Sequence, residues 1–276
     1  FTVTVTDANS CTATSTLNII TPNAPIINTA NAVDVTCFGG NNGTISVSAT
    51  GGNGAINYNL QPGNTNNASG NFSGLNANTY TITATDIVGC AVSTTLIINQ
   101  PSDLTWTSNI SNNVLCFNGN NGDISIAAVG GNGILTYTLN PGGSSNTTGV
   151  FTGLTATTYT MTAADINNCS LSTTILITQP TPINWNASTL TQVSCFGLAD
   201  AQIDITASGG SGIINYTLLP GAISNTSGSF TGLTANLYTV NAVDANNCST
   251  STTINITQPN ALTITNISNT IPTCVP

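Results

Sequence analysis

Eight cysteines carry most of the chemistry available to this chain, and they fall into two sets. Cys11, Cys90, Cys169 and Cys248 form one set; Cys37, Cys116, Cys195 and Cys274 form the other, and each advances by a constant step of 79 residues. A thiol can act as a nucleophile, hold a metal or pair as a disulfide. The nucleophilic option fails for lack of a base. The chain has no histidine, lysine or arginine, so neither a Cys/His nor a Ser/His/Asp arrangement can be assembled and no catalytic residue is assigned. Zinc sites bring C-x-x-C pairs and histidine together, and neither occurs here. What remains is a disulfide framework, which belongs to an oxidising compartment and so to an extracellular location.

The nine acids, all aspartate, set the formal net charge at -9. Without cations the chain cannot displace counterions from nucleic-acid phosphates, nor clamp a phosphoryl group. Asp7, Asp86, Asp165 and Asp244 alone among the acids follow the 79-residue step. A hard cation such as calcium takes carboxylate oxygens, so Asp86, Asp165 and Asp244 are the calcium candidates. One carboxylate per copy is a thin ligand set, however, and Asp ahead of Asn or Gly opens a turn by bonding its own backbone. No cofactor is expected. Asn-x-Ser/Thr sequences at Asn67, Asn109, Asn146, Asn186, Asn215 and Asn266 leave glycosylation open, since an Asn-, Ser- and Thr-rich chain produces them by chance.

The elements that must position these groups repeat with the same step. Tyr58, Tyr137 and Tyr216 match, as do Phe72, Phe151 and Phe230, Tyr80, Tyr159 and Tyr238, and Phe38, Phe117 and Phe196. Rings confined to a few repeating positions read as one small core built again in every copy. In the middle copy Leu104, Trp106, Ser108 and Ile110 alternate with polar residues, which is the period of a strand. Ile124 to Ala128, Leu135 to Leu139, Val150 to Leu154, Tyr159 to Ala163 and Leu171 to Ile177 continue the pattern. Gly- and Asn-rich turns separate them, and a polar loop follows Pro141.

Six or seven short strands in a unit of this length predict an all-β fold of tandem immunoglobulin-like β-sandwich repeats, arranged as a rod. Gln-Pro pairs at 100–101, 179–180 and 258–259 mark the joints. The expected division is a partial repeat over 1–22, full repeats over 23–101, 102–180 and 181–259, and a second partial repeat over 260–276. No apolar run approaches the roughly 20 residues of a membrane helix, so no direct membrane insertion is expected of this segment. The chain reads as a window on something longer.

Constant spacing leaves the disulfide pairing open. Cys37 could join Cys90 within one repeat, with Cys116–Cys169 and Cys195–Cys248 following, or it could join Cys169 in the next, with Cys116–Cys248 following. A third scheme joins Cys90 to Cys116. Opposite ends of one sandwich lie some 20 Å apart, whereas a disulfide needs Cα atoms within about 7 Å, so pairing across repeats stands beside the local scheme.

The succession Cys-Phe-Gly with a G-N-N-G turn (Cys37 to Gly43), Gly51-Gly52, Gly74 to Thr81, Asp244 to Cys248 and the Gln-Pro joints resembles the SprB repeat. The third copy departs at Gly197 to Ala201. The resemblance implies a long cell-surface adhesin of gliding bacteria, exported by type IX secretion, with a role in surface attachment and no catalytic residues. The expected function is therefore a disulfide-stabilised, non-catalytic stalk or fibre segment. Its partners are neighbouring repeats of the same longer chain, possible copies alongside in a fibre, and a surface glycan. The alternatives are a subunit of a self-assembling extracellular filament, or a carbohydrate-binding adhesive module with Trp106 and Trp185 as its aromatic platform.

Overall fold

The computed structural model describes residues 1–19 and 21–269, so Cys274 lies outside the described residues. Alternating Thr, Ile, Val and Ala favour extended backbone, because β-branched side chains fit a pleated, half-buried surface. Every regular element among the described residues is a strand. A leading hairpin pairs β1 (Thr2–Thr6) with β2 (Thr12–Thr16). The first repeat supplies β3 (Pro25–Val33), β4 (Gly43–Gly51), β5 (Asn57–Gln61), β6 (Thr65–Asn67), β7 (Asn71–Leu75), β8 (Asn78–Thr85) and β9 (Ala91–Ile98). The second supplies β10 (Ser102–Asn112), β11 (Gly122–Gly131), β12 (Thr136–Asn140), β13 (Ser144–Asn146), β14 (Val150–Leu154), β15 (Thr157–Ala164) and β16 (Ser170–Ile177). The third supplies β17 (Asn184–Thr191), β18 (Ala201–Ser208), β19 (Asn215–Leu219), β20 (Ile223–Asn225), β21 (Ser229–Leu233), β22 (Asn236–Val243) and β23 (Ser249–Ile256).

Each repeat forms a three-stranded and a four-stranded sheet. In the first the orders are β3-β4-β7 and β6-β5-β8-β9, and the same orders recur in the other two. The pairs are antiparallel, with β8 and β9 in register from Asn78↔Ile98 to Thr85↔Ala91. Period-two alternation puts Tyr80, Ile82 and Ala84 inward and leaves Thr81 and Thr83 only partly covered. Ile45, Val47, Tyr58, Leu60, Phe72, Ile82 and Ile98 make the first core, and Ile203, Ile205, Tyr216, Leu218, Phe230, Val240 and Ile256 its counterpart in the third repeat. The fold is an immunoglobulin-like β-sandwich repeated three times. Buried tyrosine hydroxyls find partners: Tyr58 accepts from Ala49 N–H and Tyr216 from Ala207 N–H, both at 2.8 Å.

Two compact units divide the chain. One comprises Phe1–Thr107, Ala127–Tyr137 and Thr162–Ser172; the other comprises Ser108–Ile126, Thr138–Met161 and Thr173–Pro276, so the second repeat contributes to both.

Two sequence expectations need correction. Phe38, Phe117 and Phe196 are not core residues: they are 50, 44 and 58% exposed, because each follows a cysteine in a turn outside both sheets. The polar loop after Pro141 contains a strand, β13, which its three residues were too few and too polar to announce. Asn146 locks the end of that strand by accepting the Gly149 N–H at 2.7 Å. Glycine is required at this place. Gly70, Gly149 and Gly228 sit at φ of 70, 72 and 74°, and a Cβ there would run into the carbonyl oxygen of Val47, Ile126 or Ile205.

Candidate functional site

Two local structures recur in every copy. The first is the hairpin between the last two strands, Asp165 to Cys169 in the second repeat. Asp165 Oδ1 accepts the backbone N–H groups of Asn167 and Cys169, each at 2.9 Å, and Oδ2 accepts that of Asn132 at 2.8 Å. Asp244 makes the same three contacts, with Asn246, Cys248 and Ser211, and Asp86 makes them with Val88, Cys90 and Asn53. All three aspartates are 5% exposed. The Asn53 N–H bond, helped by Cys90, Val88 and Gly89, draws the Asp86 carboxyl below its ordinary value against the upward push of burial. Burial pushes Asp165 up, but the N–H bonds from Asn132, Cys169 and Asn167 outweigh it and the net direction is down. The calcium candidates are thus carboxylates tied to backbone donors. Among the described residues no three or more acidic or cysteine side chains gather as a metal-ligand set.

The second structure is a ledge around Cys37, Cys116 or Cys195. Gly40 N–H donates to Cys37 C=O at 3.0 Å, closing a turn with Gly39 at φ 67°. The joint glutamine holds the turn from below: Gln100 Oε1 accepts Gly39 N–H at 2.9 Å, and Gln179 and Gln258 accept from Asn118 and Gly197. Asn42 Oδ1 accepts Thr36 N–H, and Asn121 accepts that of Leu115, both at 3.0 Å. In the third copy Asp200 fills this place, accepting Ser194 N–H at 3.1 Å. The Ser194 hydroxyl, then its N–H, draws the Asp200 carboxyl below its ordinary value. The third copy's departure over Gly197 to Ala201 therefore keeps the ledge, with an aspartate acceptor for an asparagine one.

Ledge and hairpin meet across successive repeats. Cys37 is bonded to Cys169 and Cys116 to Cys248, each pair 132 residues apart in sequence, with Cα separations of 5.6 and 5.5 Å. A second contact accompanies each bond. Asn167 Nδ2 donates to Thr36 C=O at 3.4 Å, and Asn246 Nδ2 to Leu115 C=O at 3.2 Å. A cleft beside the Cys116–Cys248 bond is lined by Phe117, Pro180, Pro182, Ile183, Gly210 and Asp244. Its equivalent beside Cys37–Cys169 includes Phe38, Pro101, Leu104 and Gly131. Sequence reasoning missed the parts played by the glutamine, by the turn asparagine and by the exposed Phe. Their identical spacing was the available signal.

Among the described residues Cys11, Cys90 and Cys195 are free thiols, with Cys11 and Cys195 exposed. Trp106 and Trp185 are half-buried against Tyr137 and Tyr216, with ring centroids 6.4 and 6.3 Å apart. Their Nε1 atoms are buried without a partner. Of the glycosylation candidates, Asn67 and Asn146 use their amides inside turns, and Asn186 Oδ1 accepts the Ser208 hydroxyl at 3.0 Å. No helix is long and apolar enough to cross a membrane among the described residues.

The family model described as the SprB repeat matches three stretches, residues 29–65, 108–144 and 187–223. Each begins in the first strand of a repeat, runs past the ledge and ends at the first residue of the short edge strand β6, β13 or β20. No curated protein matches the chain. Among solved structures, the N-terminal eight immunoglobulin domains of Down syndrome cell adhesion molecule align at 12% identity and a TM-score of 0.43, over 94% of this chain. The chain spans 43% of that structure's length. An adhesin described as Ca2+-stabilised, with which an Antarctic bacterium binds ice, aligns at 18% identity and a TM-score of 0.44, covering 91% of this chain and 79% of that one.

Proposed function

We propose that this chain, a member of the SprB-repeat family, is a non-catalytic, load-bearing segment of an extracellular adhesin stalk. The observation that carries the reading is the pairing of cysteines 132 residues apart, in successive repeats rather than within one. A disulfide that closes a single domain protects that domain. One that joins a ledge to the next repeat's hairpin fastens the joint, which is where a string of small sandwiches would otherwise bend or part. The low charge fits this purpose: with no lysine, arginine or histidine, no side chain in the composition offers a positive charge to an anionic ligand. The absence of lysine and arginine also removes every tryptic cleavage site, an asset for an exposed fibre. Cell-surface anchorage, gliding and type IX export belong to the same proposal, through the family.

Peptide mapping under non-reducing conditions, after chymotryptic cleavage, tests the reading. Linked peptides containing Cys37 with Cys169 and Cys116 with Cys248 support it. Cys37 with Cys90 and Cys116 with Cys169 would reduce the chain to self-closed beads and remove the mechanism.

A further inference from the structure

Five Asn-Gly pairs occur in the chain, beginning at Asn42, Asn53, Asn118, Asn121 and Asn132. Such a pair has its own chemistry, because glycine has no Cβ to shield its nitrogen from the carbonyl carbon of the preceding side chain. The fold treats the five differently. Asn42 Oδ1 accepts Thr36 N–H at 3.0 Å and its Nδ2 donates to Thr36 Oγ1 at 2.9 Å, while Gly43 is buried in register with Leu75. Asn121 Oδ1 likewise accepts Leu115 N–H at 3.0 Å, ahead of a buried Gly122 in register with Leu154. At Asn118 the glycine is the engaged partner, since Gly119 N–H donates to Cys116 C=O at 3.0 Å.

Asn53 and Asn132 stand apart, exposed together with the glycines that follow them. Backbone bonds hold these two loops. Asn132 N–H donates to Asp165 Oδ2 at 2.8 Å and Asn132 C=O accepts Ile166 N–H at 3.3 Å; Asn53 makes the same bonds to Asp86 and Ile87 at 2.9 and 3.3 Å. The turn demands the glycine, at φ of 77° for Gly54, 76° for Gly133 and 74° for Gly212. It does not demand the asparagine: in the third repeat Ser211 makes the same two bonds, with Asp244 and Ala245.

We propose that Asn53 and Asn132 are sites of spontaneous covalent modification, where asparagine converts to aspartate and isoaspartate, and that the bonds just described protect Asn42, Asn118 and Asn121. The co-reactant is water. The deprotonated Gly133 nitrogen attacks Asn132 Cγ, the N–Cγ bond forms, the Cγ–Nδ2 bond breaks, and the amide nitrogen leaves as ammonia with the proton that the glycine gave up. Water then opens the cyclic imide. Attack at Cγ restores the main chain with an aspartate side chain, whereas attack at the backbone carbonyl leaves the chain running through Cγ as isoaspartate. One water enters, one ammonia leaves and nothing is oxidised or reduced. Gly54 and Asn53 react in the same way. The consequence at Asn132 falls on the hairpin that carries Cys169: isoaspartate inserts Cβ into the main chain and turns the carbonyl that accepts Ile166 N–H into a carboxylate.

The test incubates the full-length chain in heavy-oxygen water at mildly alkaline pH, once native and once unfolded in urea. Peptides are then mapped by mass, with fragmentation assigning each labelled residue and isoaspartyl methyltransferase marking the isoaspartate. In the native chain the label should enter at Asn53 and Asn132 at least tenfold faster than at Asn42, Asn118 and Asn121, and in urea the five rates should converge. Equal native rates at all five, a lead for the ledge asparagines, or no label at Asn53 and Asn132 over a time in which the unfolded chain converts would refute the assignment. Asn132→Ser, which installs the third repeat's own residue, should abolish labelling at that place and leave Asn53 unchanged. Aged wild-type protein should also exchange the Ile166 N–H several-fold faster than Asn132→Ser protein aged alike. Equal exchange in the two would refute the effect on the Cys169 hairpin.

Discussion

The buried carboxylates of Asp86 and Asp165 are held by backbone N–H donors, and these bonds favour the charged form. For Asp86 and Asp165 the direction of the shift fixes the sign: a folded value below the ordinary 3.8 means that folding favours the ionised form. Their contribution is in full force above that ordinary value and is lost as pH falls through the lower, folded one. Melting temperature should therefore stay level from neutral pH to about 4.5 and fall below about 4, the window set by the carboxyl reference value. A melt that weakened between pH 7 and 5 would contradict the assignment. Substitution orders the same interactions. Asp165→Asn keeps an oxygen for the Asn167 and Cys169 N–H groups but sets an amide donor against that of Asn132; Asp165→Ala loses all three bonds. Thermal melts should rank wild type above Asn above Ala, with the acid limb flattened in both variants. At this scale the sequence was legible in part. Asp before Asn and Gly signals a turn, and the constant step marked the four aspartates as one feature. That the carboxylate also reaches a neighbouring loop, at Asn53, Asn132 or Ser211, follows from tertiary packing and left no local trace.

Strand and turn elements were the more readable level, because burial on one face of a strand imposes period two directly on the residue order. Ile203, with no exposed surface, shows how little slack the core has. Ile203→Ala should destabilise its repeat by about 2–5 kcal/mol, read as a shift in denaturant midpoint followed by the neighbouring Trp185 fluorescence. Gly228→Ala probes the turn instead. At φ 74°, with the Ile205 carbonyl oxygen in the path of any Cβ, it should cost about 1–3 kcal/mol or more, and a neutral outcome would mean that the turn can relax. Elements also explain the pairing that spacing alone left open. The ledge is tied to the C-terminal end of β9 through Gln100 and through the Val35–Asn99 bond, whereas Cys90 precedes that strand's first residue. Eight strand residues hold them about 26 Å apart, at roughly 3.3 Å per residue, so a repeat cannot close its own bond. The exposed Phe38, Phe117 and Phe196 misled for a related reason: recurrence marks a residue as doing the same thing in each copy, not as being buried.

Across the whole chain the two disulfides overlap, and this gives the array a covalent path distinct from its sequence. A pulling force that reaches Cys37 crosses to Cys169, travels back along the chain to Cys116 and crosses to Cys248. The 211 residues from Cys37 to Cys248 are thus spanned by the 53 between Cys116 and Cys169. Reduction should destabilise the fold, by at most about 5 kcal/mol per bond for a 132-residue loop on the chain-entropy estimate. The mechanical signature is sharper than the thermodynamic one. When a single oxidised chain is stretched to full unfolding, the difference between those two path lengths stays hidden; at roughly 3.5 Å per residue this is about 55 nm of contour. Adding a reductant during the pull should release it in two steps, one for each bond. Self-closed repeats would hide a length with no backward path, and their bonds would release in equal, independent increments. Staggered bonds make the increments unequal in a defined way: breaking either one first leaves a single 132-residue loop still closed, so the first step returns only the 26 residues left over and the second returns the rest. A short step followed by a long one therefore identifies a stapled stalk, and equal steps would exclude it.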